Sequence, residues 1–472
     1  MTFWGLLDDA ARRVPDAVVL ADDHGRSLTT AALRDAAGRA AAGLHGHGVE
    51  PGDVVSWQLP TTLEAVVLLA ACARLGAVQN PVIPAFRHRE VGFIVRQVSA
   101  RLVVVPESWH GFGHGEMARS LGSEVLALDL DGPPGSALRL PEGDSTGLPA
   151  APARADECRW IYYSSGTTAD PKGARHTDAS VIASSDGVVA GLGFGAGDVY
   201  PIAWPIGHIG GVSMLAAALR AGGTLVLFDA FDPAVTPERM AAHRPTILGS
   251  ATPEPVSREV AEVLGVPGVL GSWGLTEFPV ATSETPTDAE PGTTVGRPAA
   301  GVRVRVVAGE LRLKGPQCFL GYQDAALDAD AFDADGWLRT GDLGDVDEQG
   351  RVRGRLKEVV IRNAENISAA EVERVLARHP AVRDVAVVGV PDERTGERVC
   401  AVVVVGPGGP GGPGDEVTLA ALVAHCRAEG LARHKCPERL EVVDELPRSP
   451  MGKVLRRELE GWLTSAPGGV IG

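Results

Sequence analysis

The order of local patterns along the chain predicts an α/β protein. The expected architecture is a large N-terminal domain of layered α/β subdomains plus a β-rich subdomain, followed by a small α+β C-terminal domain. Three observations carry this expectation. From Leu28 to Leu219, strand-length apolar runs alternate with Ala-rich helical stretches. From Val302 the texture changes to short strands with period-two alternation. Beyond Lys357, a helix, two long apolar strands and a second helix suffice for a compact domain of about a hundred residues.

The elements follow in order. Leu28 to His45 is Ala-rich and opens on Thr29 and Thr30, whose hydroxyls suit a helix N-terminus. Val54 to Leu59 reads as a strand, and Thr62 to Leu75 as the buried helix after it. Arg101 to Val105 is a second buried strand, and Trp160-Ile161-Tyr162-Tyr163 a third. Pro201 to Leu219 supplies a strand, a Gly-rich turn and an Ala-rich helix. Val302 to Val306 and Glu310 to Lys314 read as short alternating strands of a small β-rich subdomain. The C-terminal part reads as a helix (Ser368 to Arg378), strands Val382 to Val390 and Val399 to Val405, and a helix from Leu419 to Gly430. Gly406 to Gly414, rich in glycine and proline, reads as a flexible loop without chemistry. Domain bounds of 1–354 and 358–472 follow, with 355–357 between them.

Composition excludes several functions. A chain of 472 residues exceeds one ordinary domain. Its net charge of −16, with no basic stripe, argues against nucleic acid as a partner. It also means that a nucleotide site must be built from local groups. The opening Met1-Thr2-Phe3-Trp4-Gly5 lacks a basic stretch followed by an apolar core, so no secretory signal is expected. The longest apolar run, Ala65 to Ala73, is too short to span a membrane. Six scattered cysteines show no metal-binding spacing and suggest a reduced, cytoplasmic setting.

The most informative stretch is Tyr163-Ser164-Ser165-Gly166-Thr167-Thr168-Ala169-Asp170-Pro171-Lys172-Gly173, directly after a strand-like run. Hydroxyls and glycines let backbone N–H groups approach phosphate oxygens, with Lys172 as a compact charge. It is not a Walker A loop, because Pro171 precedes Lys172 and Gly173 follows it. A polar surface turn is the competing reading. The lysines weigh against that. Of 44 Lys plus Arg only five are lysine, and Lys172, Lys357 and Lys453 each sit in a Gly- or Arg-containing motif. An ammonium kept against such a bias suits a task that a planar guanidinium cannot perform.

Five further segments carry polar residues that a bare fold does not need. They are Pro205 to Gly211 with His208 in a Gly-rich turn, Trp273-Gly274-Leu275-Thr276-Glu277, and Thr340 to Gly344 with Asp342 in a tight turn. The last two are Gly354-Arg355-Leu356-Lys357-Glu358 and Pro450-Met451-Gly452-Lys453. Plain readings compete at each: a turn-forming Asp342, a solvated Glu277, a packed His208, a surface Lys357.

In this order the motifs resemble those of the adenylate-forming enzymes, a superfamily of acyl-CoA synthetases, peptide-synthetase adenylation domains and beetle luciferases. The resemblance covers nearly the whole chain. Phe86-Arg87-His88-Arg89-Glu90, Thr167 to Gly173 and Ile361 to Ser368 look most like ligases for medium-chain or alicyclic acids, the cyclohexanecarboxylate–CoA ligase type. The resemblance implies ATP, Mg²⁺ and CoA as cofactors, and a carboxylic acid as substrate. Monomer and homodimer both remain open.

By the same resemblance, Ser165, Gly166, Thr167, Thr168 and Lys172 hold the β- and γ-phosphates. Trp273 stands where relatives place a Tyr on adenine, with Gly274 beside it. Thr276 bonds the α-phosphate, and Glu277 ligates Mg²⁺, a hard ion that takes carboxylate oxygen. His208 gates the acyl pocket. Asp342 accepts both ribose hydroxyls, and Arg355 helps to hold the ribose and phosphate end. Lys357 belongs to the hinge about which the small, mobile C-terminal domain turns. Lys453 bridges the carboxylate and α-phosphate in the transition state. After adenylation that lysine withdraws, and the Ile361 to Ile367 segment lines the path of the pantetheine thiol.

Two departures stand out. Asn363-Ala364 occupies the place of a Gly-Gly pair. Between Pro205 and Trp273 the chain looks short by a helix and a strand. Thr246 to Pro253 runs almost directly into a helix from Glu254 to Leu264. Either Gly249-Ser250-Ala251 is the loop beside adenine and a pocket helix is lost, or those residues end an earlier strand and the adenine loop is missing. A nucleotide-binding homologue with impaired catalysis therefore competes with an active ligase. No carrier domain follows Gly472, so free CoA is the expected acceptor rather than a carrier protein.

Overall fold

A computed structural model describes the chain except for residues 133–135, 165–170, 233, 250–259, 267–268, 286–293, 349, 354–358, 363–364, 393–395, 407–416, 430, 432, 449–453 and 466–472. The chain divides into two compact units. The first takes most of residues 1–340, and the second Val306–Leu311 and the residues from 341 onward.

In the first unit, a seven-stranded sheet runs in the order Gly321–Tyr322, Lys172–Thr177, Cys158–Ser164, Val78–Pro81, Val54–Trp57, Leu102–Pro106, Val125–Leu128. Its central strands are parallel. Leu102 to Pro106 is buried at every position, as expected where a strand is covered on both faces. Lys172–Thr177 returns antiparallel to Cys158–Ser164, pairing Ser164 with Lys172. A four-stranded sheet has the order Ser27–Thr29, Val18–Asp22, Thr224–Leu227, Val199–Ile202. Helices Phe3–Arg13, Leu63–Leu75 and Ile209–Ala221 contribute to one core that includes Phe3, Trp57, Trp160, Leu68 and Leu215.

The helix limits have local causes. Thr29 and Thr62 each accept a hydrogen bond from the backbone N–H three residues on, so the expected cap at Thr29 is present and Thr62 caps the second helix in the same way. Gly222 closes Ile209–Ala221 at φ 84°, a left-handed conformation costly to residues with a Cβ. Thr29→Ala removes one such cap. A loss of about 1 kcal/mol is expected, read as a lowered melting temperature of the purified protein.

Asp178, buried beneath the Thr177 cap, accepts from the Phe3 N–H at 3.0 Å and the Trp160 indole N–H at 2.8 Å. It ties the first helix to the sheet. Sequence reading gives no hint of it.

In the second unit a five-stranded sheet includes Val359–Arg362, Glu365–Ser368, Val382–Asp392, Gly396–Val405 and Arg439–Val442. Gly396–Val405 pairs with three neighbours, and the apolar runs Val399–Val405 within it and Val385–Val390 within Val382–Asp392 are covered on both faces. Val385, Val387, Val399, Ala401 and Val403 pack with Val372 and Leu376 of helix Ala369–Leu376 and Leu422 of helix Leu419–Ala428. The alternate set, Ala386, Val388, Val390, Cys400, Val402 and Val404, packs with Leu459 and Leu463 of helix Arg456–Ser465. Successive side chains point to opposite faces, so one sequence run feeds two cores.

One local expectation is corrected. Asp342 does not sit in a tight turn. It lies in the strand Leu338–Leu343, next to Gly341 at φ 63°. Gly341 and Gly344 read as turn signals, but the left-handed glycine is accommodated within a strand. Most of the Gly406–Gly414 loop lies outside the described residues, as does the start of the helix expected from Glu254. Residues 260–264 are helical.

Candidate active site

The hairpin formed by Cys158–Ser164 and Lys172–Thr177 in the seven-stranded sheet pairs Ser164 with Lys172, the two strand ends on either side of 165–170. Ser165, Gly166, Thr167 and Thr168 lie outside the described residues. Lys172 starts the return strand. In a strand, residues two and four apart share a face, so Lys172, Ala174 and His176 line up on one side. Tyr322 pairs directly with Ala174 across the next strand, which puts its side chain on that same side. The Lys172 ammonium lies 5.7 Å from the centre of the Tyr322 ring.

Glu277 meets this face from another part of the chain. The strands Ser272–Leu275 and Phe278–Ser283 form an antiparallel pair, with Thr276 and Glu277 as the turn between them. The Tyr322 hydroxyl donates to Glu277 Oε1 at 2.7 Å. The Phe319 N–H donates to the Glu277 carbonyl at 2.9 Å. His176 Nε2 lies 2.8 Å from the carbonyl oxygen of Thr276, which fixes Nε2 as the protonated nitrogen. Its Nδ1 faces Ser180 Oγ at 3.1 Å. Lys172, Thr276 and Glu277 are thus brought together by two residues that sequence reading did not select, His176 and Tyr322.

The electrostatics are consistent with a fixed donor set. Burial pushes the His176 imidazole down to about 4, so it is neutral at physiological pH. Burial and the nearby Glu277 carboxylate raise the Tyr322 phenol well above its usual value, so it remains a donor. Cys318 is pushed up to about 12, mainly by burial with a contribution from Glu277, and is an inert thiol.

The remaining candidates have separate settings. Trp273 is buried, and Gly274 has no room for a side chain, since a Cβ there would lie 2.5 Å from the Val280 nitrogen. His208 is half-buried and caps helix Ile209–Ala221, accepting from the Gly210 N–H at 3.2 Å through Nδ1. Its ring meets Trp204 edge-on. Asp342 is buried within the second unit, and the N–H of the adjoining Gly341 donates to Glu310 Oε1 at 3.0 Å. Arg355, Lys357 and Lys453 lie outside the described residues. The two other lysines have structural partners: Lys314 donates to the Asp335 carbonyl, and Lys435 pairs with Glu371 at 2.6 Å.

The donor set suits magnesium in one specific way. Among the described residues no three His, Cys, Asp or Glu side chains cluster as a metal cage. Glu277 Oε1 is held by Tyr322, leaving Oε2 as a hard oxygen donor. One carboxylate supplemented by substrate phosphates is a common way for proteins to hold Mg²⁺.

The shortened segment has a structural counterpart. Thr246 bonds the edge strand at Val199, with N–H to carbonyl at 3.0 Å. Leu248–Gly249 then pairs in parallel with Val269–Leu270 as a separate two-stranded sheet. A Cβ on Gly249 would lie 2.3 Å from the Tyr200 hydroxyl, so only glycine fits against that ring. Ser250 and Ala251 lie outside the described residues.

Comparison with known proteins agrees with this picture. A family model described as AMP-binding enzyme matches residues 7–253, and one described as AMP-binding enzyme C-terminal domain matches residues 371–453. The medium-chain fatty-acid–CoA ligase of Escherichia coli (strain K12) is 31% identical, over 96% of this chain and 90% of that protein. The salicyl-AMP ligase / salicyl-S-ArCP synthetase of Mycobacterium tuberculosis (strain ATCC 25618 / H37Rv) is 32% identical, over 98% of this chain and 91% of that protein. The crystal structure of ATP-bound MatB from Rhodopseudomonas palustris superposes with a TM-score of 0.78 at 28% identity, covering 98% of this chain and 99% of that one. The alignment to the E. coli ligase runs over 513 positions while taking in 96% of a 472-residue chain, so that relative carries several dozen residues that this one lacks. The first family match ends at residue 253, inside the segment that reads as shortened. The layered α/β fold, the ordered motifs and both family matches agree: the chain belongs to the AMP-binding enzyme family, a family of ligases.

Proposed function

We propose that this enzyme activates a carboxylic acid with ATP·Mg²⁺ to an acyl-adenylate and transfers the acyl group to CoA, releasing AMP and pyrophosphate. A medium-chain or alicyclic acid is the proposed substrate class. The observation that carries the reading is the convergence of Lys172, Thr276 and Glu277 on one face of the sheet, bridged by Tyr322 and His176.

In the first step a substrate carboxylate oxygen attacks the α-phosphorus, and the bond to the β-phosphate bridging oxygen breaks. Negative charge develops on the leaving pyrophosphate and on the α-phosphoryl oxygens. Lys172 and the loop residues Ser165, Gly166, Thr167 and Thr168 neutralise the leaving group, and Thr276 bonds the α-phosphoryl oxygen. Mg²⁺, held by Glu277 and the phosphates, would supply Lewis-acid charge neutralisation. Trp273 and Gly274 would flank adenine, Asp342 and Arg355 the ribose end, and His208 the acyl pocket. Lys453 would bridge the attacking carboxylate and the α-phosphate. In the second step the CoA thiolate attacks the acyl carbon and AMP leaves. The hinge at Lys357 would exchange Lys453 for the segment around Asn363.

The domain bounds of 1–354 and 358–472 belong to this proposal, because the swing requires the small domain to turn as a body. A second reading, a nucleotide-binding homologue with impaired catalysis, draws on the residues missing relative to the E. coli ligase and on the family match that stops at residue 253.

The test is pyrophosphate release from ATP·Mg²⁺ across a panel of aliphatic, alicyclic and aromatic carboxylic acids, with and without CoA. Acid-dependent release that rises with CoA is the expected result, with its maximum among medium-chain or alicyclic acids. A maximum among aromatic acids would overturn the substrate class alone. ATP binding by calorimetry without turnover on any acid would favour the impaired homologue.

A further inference from the structure

We infer that His176 and Tyr322 are positioning residues that clamp the Thr276–Glu277 turn, one through a main-chain carbonyl and the other through a carboxylate oxygen, so that the second Glu277 oxygen is presented to a divalent cation. The inference rests on the proposed role of Glu277 and deepens it.

The geometry is built from three parts of the chain. The strand Lys172–Thr177 carries Lys172 and His176 four residues apart on one face, and Tyr322 joins that face from the neighbouring strand. The turn at Thr276 and Glu277 receives three hydrogen bonds: His176 to the Thr276 carbonyl at 2.8 Å, the Phe319 N–H to the Glu277 carbonyl at 2.9 Å, and the Tyr322 hydroxyl to Oε1 at 2.7 Å. The Phe319 ring neighbours both clamping side chains, with its centre 6.3 Å from that of His176 and 4.9 Å from that of Tyr322. His176 is fully buried and Tyr322 is 9% exposed, so neither side chain has room to swing away.

Two adjacent carbonyls and one carboxylate oxygen are thereby fixed to a rigid sheet. A carboxylate on a two-residue turn would otherwise sample several rotamers, and ordering it would cost free energy each time the cation binds. Partners one step removed from a metal orient its ligands in this way, and their loss typically costs ten- to a hundredfold in affinity.

The experiment measures binding of α,β-methylene-ATP by calorimetry, with and without Mg²⁺, for the full chain and four variants. Tyr322→Phe is expected to bind the metal-free nucleotide as the unmodified protein does, and to lose about tenfold of the gain that Mg²⁺ provides. His176→Ala should behave alike, and His176→Gln should recover most of the loss, because its amide N–H can donate to the Thr276 carbonyl. Melting temperatures report folding. Should His176→Ala fold poorly, Tyr322→Phe and His176→Gln still decide the matter. A full Mg²⁺-dependent gain in Tyr322→Phe, or a His176→Gln protein no better than His176→Ala, overturns the clamp. Glu277→Gln separates the two layers. If it keeps the gain, the role of Glu277 itself fails. If it alone loses the gain, only the clamp fails.

Discussion

Lys453→Ala is expected to slow adenylate formation by about 10²–10³-fold while leaving ATP binding largely intact. The attacking carboxylate and the α-phosphate are both anionic, and their approach concentrates charge that the ground state keeps apart. A cation that touches both only in the transition state lowers the barrier without tightening the substrate complex. Its removal therefore appears in kcat rather than in KM. The fold should tolerate the change. The described residues on either side of 449–453 are joined by a bridge between Arg448 and Val454 and by the Leu455 N–H donating to the Pro447 carbonyl at 2.8 Å. Arg448 pairs with Asp384 and Arg456 with Glu373, and helix Arg456–Ser465 is anchored through Leu459 and Leu463. Lys453→Arg should not restore the rate, because a planar fork cannot replace a compact ammonium between two oxygens. Synthetic acyl-adenylate supplied with CoA should still be converted by Lys453→Ala, since the role proposed for the lysine is confined to the adenylation step. Unchanged pyrophosphate release in the alanine variant would remove Lys453 from the mechanism.

The parts of this molecule that were legible in its sequence are those governed by local rules. The expected strands Glu310–Lys314 and Val382 to Val390, and the helices after Thr29 and Thr62, stand within a few residues of their predicted limits. Apolar periodicity and capping hydroxyls act over one or two turns, so a linear reading captures them. Asp342 was misread because a glycine in left-handed backbone looks alike in a turn and in a kinked strand. His176 and Tyr322 were missed because their partners are 100 and 45 residues away. Each nonetheless left a trace. His176 follows Lys172 at the even spacing that keeps a strand residue on one face. Tyr322 is one of four tyrosines in the chain.

Lowering the pH from 7.5 to 4 is expected to remove about 3 kcal/mol of stability through His176 alone. The sign follows from where its protons sit. Unfolded, the imidazole titrates at its ordinary value near 6.5. Folded, burial holds it down at about 4. Between those values the unfolded chain binds a proton that the native protein refuses, so stability falls as pH falls, beginning near 6.5 and levelling off below 4. The native state resists the proton because, among the described residues, the buried ring has the Thr276 carbonyl and Ser180 Oγ as its hydrogen-bond partners and no paired carboxylate. His114, His243 and His379 are also shifted downward, each chiefly by burial, so acid destabilises the unmodified protein through more than one group. His176→Gln isolates the contribution of this site, since glutamine can keep the bond to Thr276 without titrating. The melting temperature of the variant should fall by several degrees less than that of the unmodified protein over the same range. Parallel pH profiles for the two proteins would show that His176 is not held neutral, and with it that the ring does not sit sealed against the Thr276 carbonyl.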